Sequence, residues 1–215
     1  PHVFINFYNL LNVSWTETVS LHFDDEDRDE FLTATMTALF KLFAAACFGI
    51  VACMPFVFPI LINEKYVAGY DQILILMYAM LFRVLVGLYS CIYVAQKNAK
   101  KIAYTSISAA IINITVNLIL INKIKIFAAS ISTLVAFFSM FIIRYIDVNK
   151  TVHMRIRKPI IIGSILIGTM LIGTYYCENK MIQLIALCIT AIYAVLTNVD
   201  MLKSGMKLVK SRFGK

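Results

Sequence analysis

The sequence predicts an all-α integral membrane protein, on three observations. Hydrophobic residues make up 60% of the 215 and charged residues only 15%, and the mean hydropathy is +0.81, a balance that soluble domains seldom reach. The apolar residues fall in runs of about 20, enough to cross a hydrocarbon core about 30 Å thick at about 1.5 Å per helical residue. The alternating ten-residue segments of a membrane β-barrel are absent, so backbone polar groups in lipid must be satisfied within helices. About seven transmembrane helices result.

Charge and cysteine usage narrow the class further. The formal charge of +8 does not point to nucleic acid, because most Lys and Arg sit in short connections between apolar runs. There they orient the spans and attract anionic membrane lipid. Cys47, Cys53, Cys91, Cys177 and Cys188 lie in or beside apolar runs without CxxC or Cys/His spacing, so they read as small hydrophobes. No metal site and no cofactor are implied. The chain opens on Pro1 and enters a hydrophobic helix with no signal-peptide pattern, and reads as the C-terminal part of a longer membrane protein.

The first helix, residues 3–22, is amphipathic. Asn6, Asn9, Val13, Glu17 and Ser20 recur at steps of three and four and share one face. That face is amide, hydroxyl and carboxylate rather than Lys and Arg, which suits a wet cavity better than the membrane surface. The acidic stretch 23–31 reads as a solvated connection favoured by the dipole of the next helix. It lacks the glycine and terminal glutamate of a calcium loop. The second span, 35–62, carries Pro55 and Pro59 in its last third, where a kink or local unwinding is expected, Pro59 ending the regular part. A connection at 63–71 leads into the third.

Residues 70–101 form the stretch around which the rest is organised. From Ile73 to Gln96 its one charge is Arg83, near mid-span. A central arginine costs about 2.5–3.5 kcal/mol on insertion scales and generally faces protein or a water-filled path. Its face carries Ala79, Met80, Gly87 and Ser90, mostly small, whereas Leu74, Leu81, Leu85 and Leu88 crowd elsewhere. Arg83 is therefore expected to look inward, either paired with a carboxylate or carbonyl or lining a polar route. The fourth span, 102–121, has Ser106, Ala109, Ala110, Asn113 and Asn117 on one face. Its two asparagines need partners, either another helix or a substrate. The fifth span, 126–145, opens on small residues that allow close backbone approach. The sixth and seventh, 159–176 and 181–199, carry few polar side chains and read as peripheral.

Alternate connections differ sharply in Lys and Arg. One side holds Arg28, Lys97, Lys100, Lys101, Arg144, Lys150, Arg155, Arg157, Lys158 and the tail, and the other only Lys65, Lys123, Lys125 and Lys180. The richer side is expected to be cytoplasmic, with the C-terminus. The resulting organisation is a bundle over 1–146, a basic cytoplasmic loop over 147–158, a further helix pair over 159–201 and a basic tail over 202–215.

Several stretches resemble polysaccharide flippases of the O-antigen, capsule and teichoic-acid type, relatives of the lipid II flippase and of the multidrug and toxin extrusion transporters. They are Phe7-Tyr-Asn-Leu10, Ser14-Trp-Thr-Glu17, the loop from Asp25 to Phe31 with the proline-flanked span after it, Ile92 to Lys100, and the Asn-x-x-x-Asn helix from Ala110 to Leu120. The sequence departs where the family has Gly-Ile-x-Gly-Ala, reading Lys125-Ile-Phe-Ala-Ala129. The resemblance implies the second bundle of a two-bundle, alternating-access transporter with extra C-terminal helices. It implies flipping of undecaprenyl-diphosphate-linked oligosaccharide from the inner to the outer leaflet of the bacterial cytoplasmic membrane, for cell-surface polysaccharide biosynthesis. A polysaccharide polymerase is a partner in keeping with that role. On this reading Arg83 would neutralise the diphosphate. Asn9, Asn113 and Asn117 would bond the sugars, and Glu17 would be an ion-linked carboxylate or the partner of Arg83.

Two other classes remain. A cation-coupled multidrug exporter predicts a dry aromatic cavity with few fixed cations, which Arg83 and the asparagine faces oppose. A membrane-embedded enzyme or assembly subunit needs acids, histidines or metal ligands at the surface. The one acidic cluster is Asp24–Glu30, and His22 and His153 sit near connections without a repeated partner, so the sequence reads as a transporter rather than an enzyme.

Overall fold

A computed structural model of the protein describes residues 2–61 and 69–204, and side chains over 4–60 and 69–204. The end of the second span at Ile62, most of the 63–71 connection and most of the basic tail lie outside the described residues. Seven helices follow in order: α1 (His2–Leu21), α2 (Arg28–Leu61), α3 (Tyr70–Ala95), α4 (Ala99–Ile124), α5 (Ile126–Val148), α6 (Lys158–Tyr175) and α7 (Lys180–Thr197). There is no strand among the described residues. Six helices, α2 to α7, are long and apolar enough to cross a membrane, and the protein is an all-α, multi-pass membrane protein. The polar face of α1 keeps that 20-residue helix below the same apolarity.

The helix ends follow local chemistry. α2 starts at Arg28, earlier than the apolar run suggests, because Asp29 and Glu30 occupy its first turn and complement the positive end of its dipole. The Phe31 amide bonds the Asp27 carbonyl at 3.0 Å. At the other end α2 runs through both prolines to Leu61, whereas the sequence led us to expect the regular helix to end at Pro59. Pro59 has no N–H for the Pro55 carbonyl one turn back. The Lys180 ammonium donates to that carbonyl at 3.1 Å instead.

α3 ends in a left-handed turn made by a lysine. Lys97 has φ 54°, its amide bonds the Val94 carbonyl at 2.9 Å, and the Asn98 amide bonds the Tyr93 carbonyl at 2.9 Å. This pair of bonds is a Schellman motif, which usually has glycine at that position.

The chain divides into two units, Pro1–Thr33 with Val57–Arg155, and Ala34–Phe56 with Ile156–Lys215. In the first, α3 packs against α1 and α5, and α4 packs against α5. Val86, Ala109, Ala136 and Met140 form a core covered by Ile112, Phe137 and Phe141. Ala128, Ser130 and Ser132 are buried at the start of α5, as small residues at a tight helix contact should be. The connections at one end of this unit are tied together. Arg28 donates to the Thr151 carbonyl at 3.3 Å, Gln96 to the Thr151 hydroxyl at 2.8 Å, and the His153 amide to Asp29 at 3.0 Å.

The second unit joins the centre of α2 to α6 and α7, whereas the sequence grouped residues 1–146 together. Specific contacts account for this membership. Asn198 donates to the Lys41 carbonyl at 3.4 Å, Phe48 and Tyr193 have ring centroids 6.4 Å apart, and the Ser164 and Tyr193 hydroxyls lie 2.7 Å apart.

Candidate functional site

The first unit carries a polar seam along the α3 face Arg83, Gly87 and Ser90, flanked by α1 on one side and by α4 and α5 on the other. α1 comes close because residue 87 has no side chain. A Cβ there would overlap the Tyr8 hydroxyl and fall 2.6 Å from Cζ of that ring. The Tyr8 hydroxyl donates to Asn12 Oδ1 at 2.6 Å, and Cys91 Sγ lies 3.2 Å from Thr16 Oγ1 and 3.5 Å from Asn12 Oδ1. Trp15, 4% exposed, donates its indole N–H to the Leu88 carbonyl at 3.1 Å. This docked face leaves the opposite one uncovered. Asn6, Asn9, Val13, Glu17 and Ser20, the face that the sequence singled out, are all exposed.

On the other flank the seam is closed by Arg144 of α5, 2% exposed. Its Nε donates to Thr105 Oγ1 at 2.9 Å, and Nη1 donates to the Val86 carbonyl at 3.0 Å and to the Ser90 hydroxyl. Nη2 reaches the Ile102 carbonyl at 3.4 Å and Ser106 Oγ at 3.3 Å. One guanidinium thus ties α5 to both α3 and α4 with its five-donor fork. All of these acceptors are neutral. The nearby carboxylate, Asp147, is held by Lys101 at 2.7 Å and by the Tyr93 hydroxyl at 2.9 Å. Among the described residues Arg144 forms no ion pair. With all five donors committed, this cation is solvated by protein dipoles and acts on its surroundings through its field rather than by further hydrogen bonds.

Arg83 is exposed rather than enclosed by the helices of its unit, contrary to the inward position expected of it. Its guanidinium carbon sits 5.9 Å from the Phe137 ring centroid, a cation–π distance. It makes no ion pair with Glu17 or any other carboxylate among the described residues. Arg83, Gly87 and Ser90 share one face of α3, and Arg144 bonds Ser90 on that face, so the two cations border one seam. Of the α4 asparagines, Asn113 reaches α5. Asn113 Nδ2 donates to Thr133 Oγ1 at a long 3.5 Å, and Asn117 Oδ1 is buried with no hydrogen-bond partner. Asn9 and Glu17 lie on the exposed face of α1. The five residues singled out from the sequence are therefore spread out: Arg83 at the seam, Asn113 against Thr133 of α5, Asn117 one turn further along α4, and Asn9 and Glu17 on the open face of α1.

Sequence reasoning put Ser90 on the face of Arg83 but missed Arg144, Tyr8 and Asn12 as members of the same seam. Arg144 had counted as a connection charge because it lies near the end of α5. Its helical period tells otherwise: Ser132, Ala136, Met140, Arg144 and Val148 recur every four residues and all are buried.

No family model, curated protein or solved structure matches this chain. Among the described residues no group of three or more His, Cys, Asp or Glu could hold a metal ion. The chemistry on offer around the seam is that of two guanidinium groups beside an uncovered face of α1 that carries amides, a hydroxyl and the Glu17 carboxylate.

Proposed function

We propose that the protein moves a lipid-linked oligosaccharide across the bacterial cytoplasmic membrane, with its C-terminus in the cytoplasm, as one helical bundle of an alternating-access flippase. The observation that carries the reading is the Arg83–Arg144 seam. Arg83, an exposed guanidinium with no ion pair among the described residues, suits an anionic ligand such as a diphosphate, and the buried Arg144, its donors committed within the bundle, adds positive field beside it. An isolated charge in hydrocarbon is costly, so a cation that is not neutralised internally is best explained by a wet route or an anionic visitor. The uncovered α1 face, with Asn6, Asn9, Glu17 and Ser20, supplies hydrogen-bonding groups suited to sugar hydroxyls.

A drug exporter for apolar cations fits this charge pattern less well, because two fixed positive charges would repel such a cargo. The test is deletion of the gene in its own host, followed by measurement of lipid-linked oligosaccharide in each leaflet. Accumulation on the cytoplasmic side, cleared by wild type and not by Arg83→Ala, supports the flippase. Altered drug sensitivity without accumulation overturns it in favour of an exporter.

A further inference from the structure

An exposed arginine samples many rotamers, and a ligand that fixes one of them forfeits that freedom. At Arg83 a ring narrows the choice. Its guanidinium carbon lies over Phe137 of α5, 5.9 Å from the ring centroid, within the range of cation–π attraction. Phe137 is itself held in place. It packs on the buried core of Val86, Ala109, Ala136 and Met140. The neighbours of both partners in the chain also pack together. Phe82 meets Phe138 edge-on with centroids 5.0 Å apart, and it meets Phe141 at 5.8 Å, distances at which aromatic pairs attract. Arg83 follows Phe82 and Phe137 precedes Phe138, so the contact that locks α3 to α5 also sets a ring beside the guanidinium.

A cation–π contact occupies the face of a guanidinium and leaves its edge, where all five N–H donors lie. Among the described residues Arg83 donates no hydrogen bond and joins no ion pair. Arg144 is the contrast, because its donors go to Thr105, Val86, Ser90, Ile102 and Ser106. One guanidinium of the seam is thus spent on the bundle, and the other is steadied by a ring with its fork still open. That fork matches two oxygens of one phosphate group.

We propose that Phe137 is a positioning residue for Arg83, holding the guanidinium over its ring so that the free edge grips one phosphate of a lipid-borne diphosphate through two parallel hydrogen bonds. The proposal rests on the diphosphate reading of the seam given above and adds the mode of recognition. The ring acts through the arginine and does not touch the ligand. It restricts the cation before the ligand arrives, which lowers the entropy lost on binding. Its attraction also grows where water is excluded, as it is when a lipid headgroup covers the seam. A lysine at position 83 could approach the same ring, but it offers a point charge and no fork.

The test is binding of undecaprenyl diphosphate to the full chain in nanodiscs, against a neutral lipid of the same chain length. Phe137→Leu, which keeps an apolar side chain but removes the π face, should lower affinity about three- to tenfold. Phe137→Tyr, which keeps the ring, should stay within about twofold of wild type. In an Arg83→Gln background Phe137→Leu should change nothing further, because the group it positions is gone. Arg83→Lys should bind as poorly as Arg83→Gln. Wild-type affinity in Phe137→Leu would overturn the proposal, as would an equal loss in Phe137→Tyr. A further loss in the Arg83→Gln background, or full affinity in Arg83→Lys, would also overturn it. All four results leave the wild-type preference for the diphosphate standing. Loss of that preference in the wild type would instead overturn the diphosphate reading, and the proposal with it.

Discussion

The approach of α1 to α3 rests on one missing side chain, and Gly87→Ala tests it. The added Cβ would overlap the Tyr8 hydroxyl and sit 2.6 Å from Cζ and 3.2 Å from Cε1, inside van der Waals contact on all three. The flexible end of Tyr8 has to swing away, which breaks its 2.6 Å bond to Asn12. Overpacking of this kind costs about 1–3 kcal/mol, and the lost hydrogen bond about 0.5–1.5 kcal/mol more, so a loss of about 2–4 kcal/mol is expected. Equilibrium unfolding in mixed detergent micelles measures it. The discriminating form is a double-mutant cycle with Tyr8→Ala, which removes the clashing ring. In that background Gly87→Ala should cost close to nothing, giving a coupling energy well above the roughly 0.5 kcal/mol scatter of independent sites. Equal cost in both backgrounds would refute the reasoning, since the alanine would then act through something other than Tyr8.

Other expectations follow from the same geometry. Lys97→Gly should raise stability by about 1 kcal/mol, because the left-handed φ of 54° strains any side chain and glycine adopts it freely; a loss in the same unfolding assay would contradict the turn assignment. Arg144→Met should cost about 1–3 kcal/mol, less than breaking a buried ion pair, because no carboxylate is stranded when the guanidinium goes; a loss above that range would reveal a buried anion partner. Lys101→Met should cost no more than about 1 kcal/mol, since both members of its pair with Asp147 are partly exposed and Tyr93 still holds the carboxylate. Salt titration should leave that difference small.

Much of the fold was legible because lipid allows so few solutions. Apolar runs of spanning length announced α2 to α7, and the three-and-four spacing of Asn6, Asn9, Glu17 and Ser20 announced the face of α1 that stays uncovered. The continuation of α2 past Pro59 was not legible, because the donor that permits it, Lys180, lies 125 positions away in the chain. Arg83 and Arg144 illustrate a different limit. Both sit on faces of small residues, and composition alone does not say which such face another helix will cover. In α5 the four-residue period through Ala136 and Met140 carries Arg144 into the core. In α3 Arg83 stays exposed, with its guanidinium over the ring of Phe137 at cation–π distance. Asn113 and Asn117 were readable as needing partners, but the side they turn to depends on the α4–α5 register, which no single helix encodes.

The most direct measurement of the central claim is binding of undecaprenyl diphosphate to the protein in nanodiscs, against a neutral lipid of the same chain length. The account predicts preference for the diphosphate, with affinity falling tenfold or more in Arg83→Gln. That fall is the order expected when one charge-assisted bond worth about 1.5–3 kcal/mol is lost. Equal binding of the two lipids, or unchanged affinity in Arg83→Gln, would contradict it.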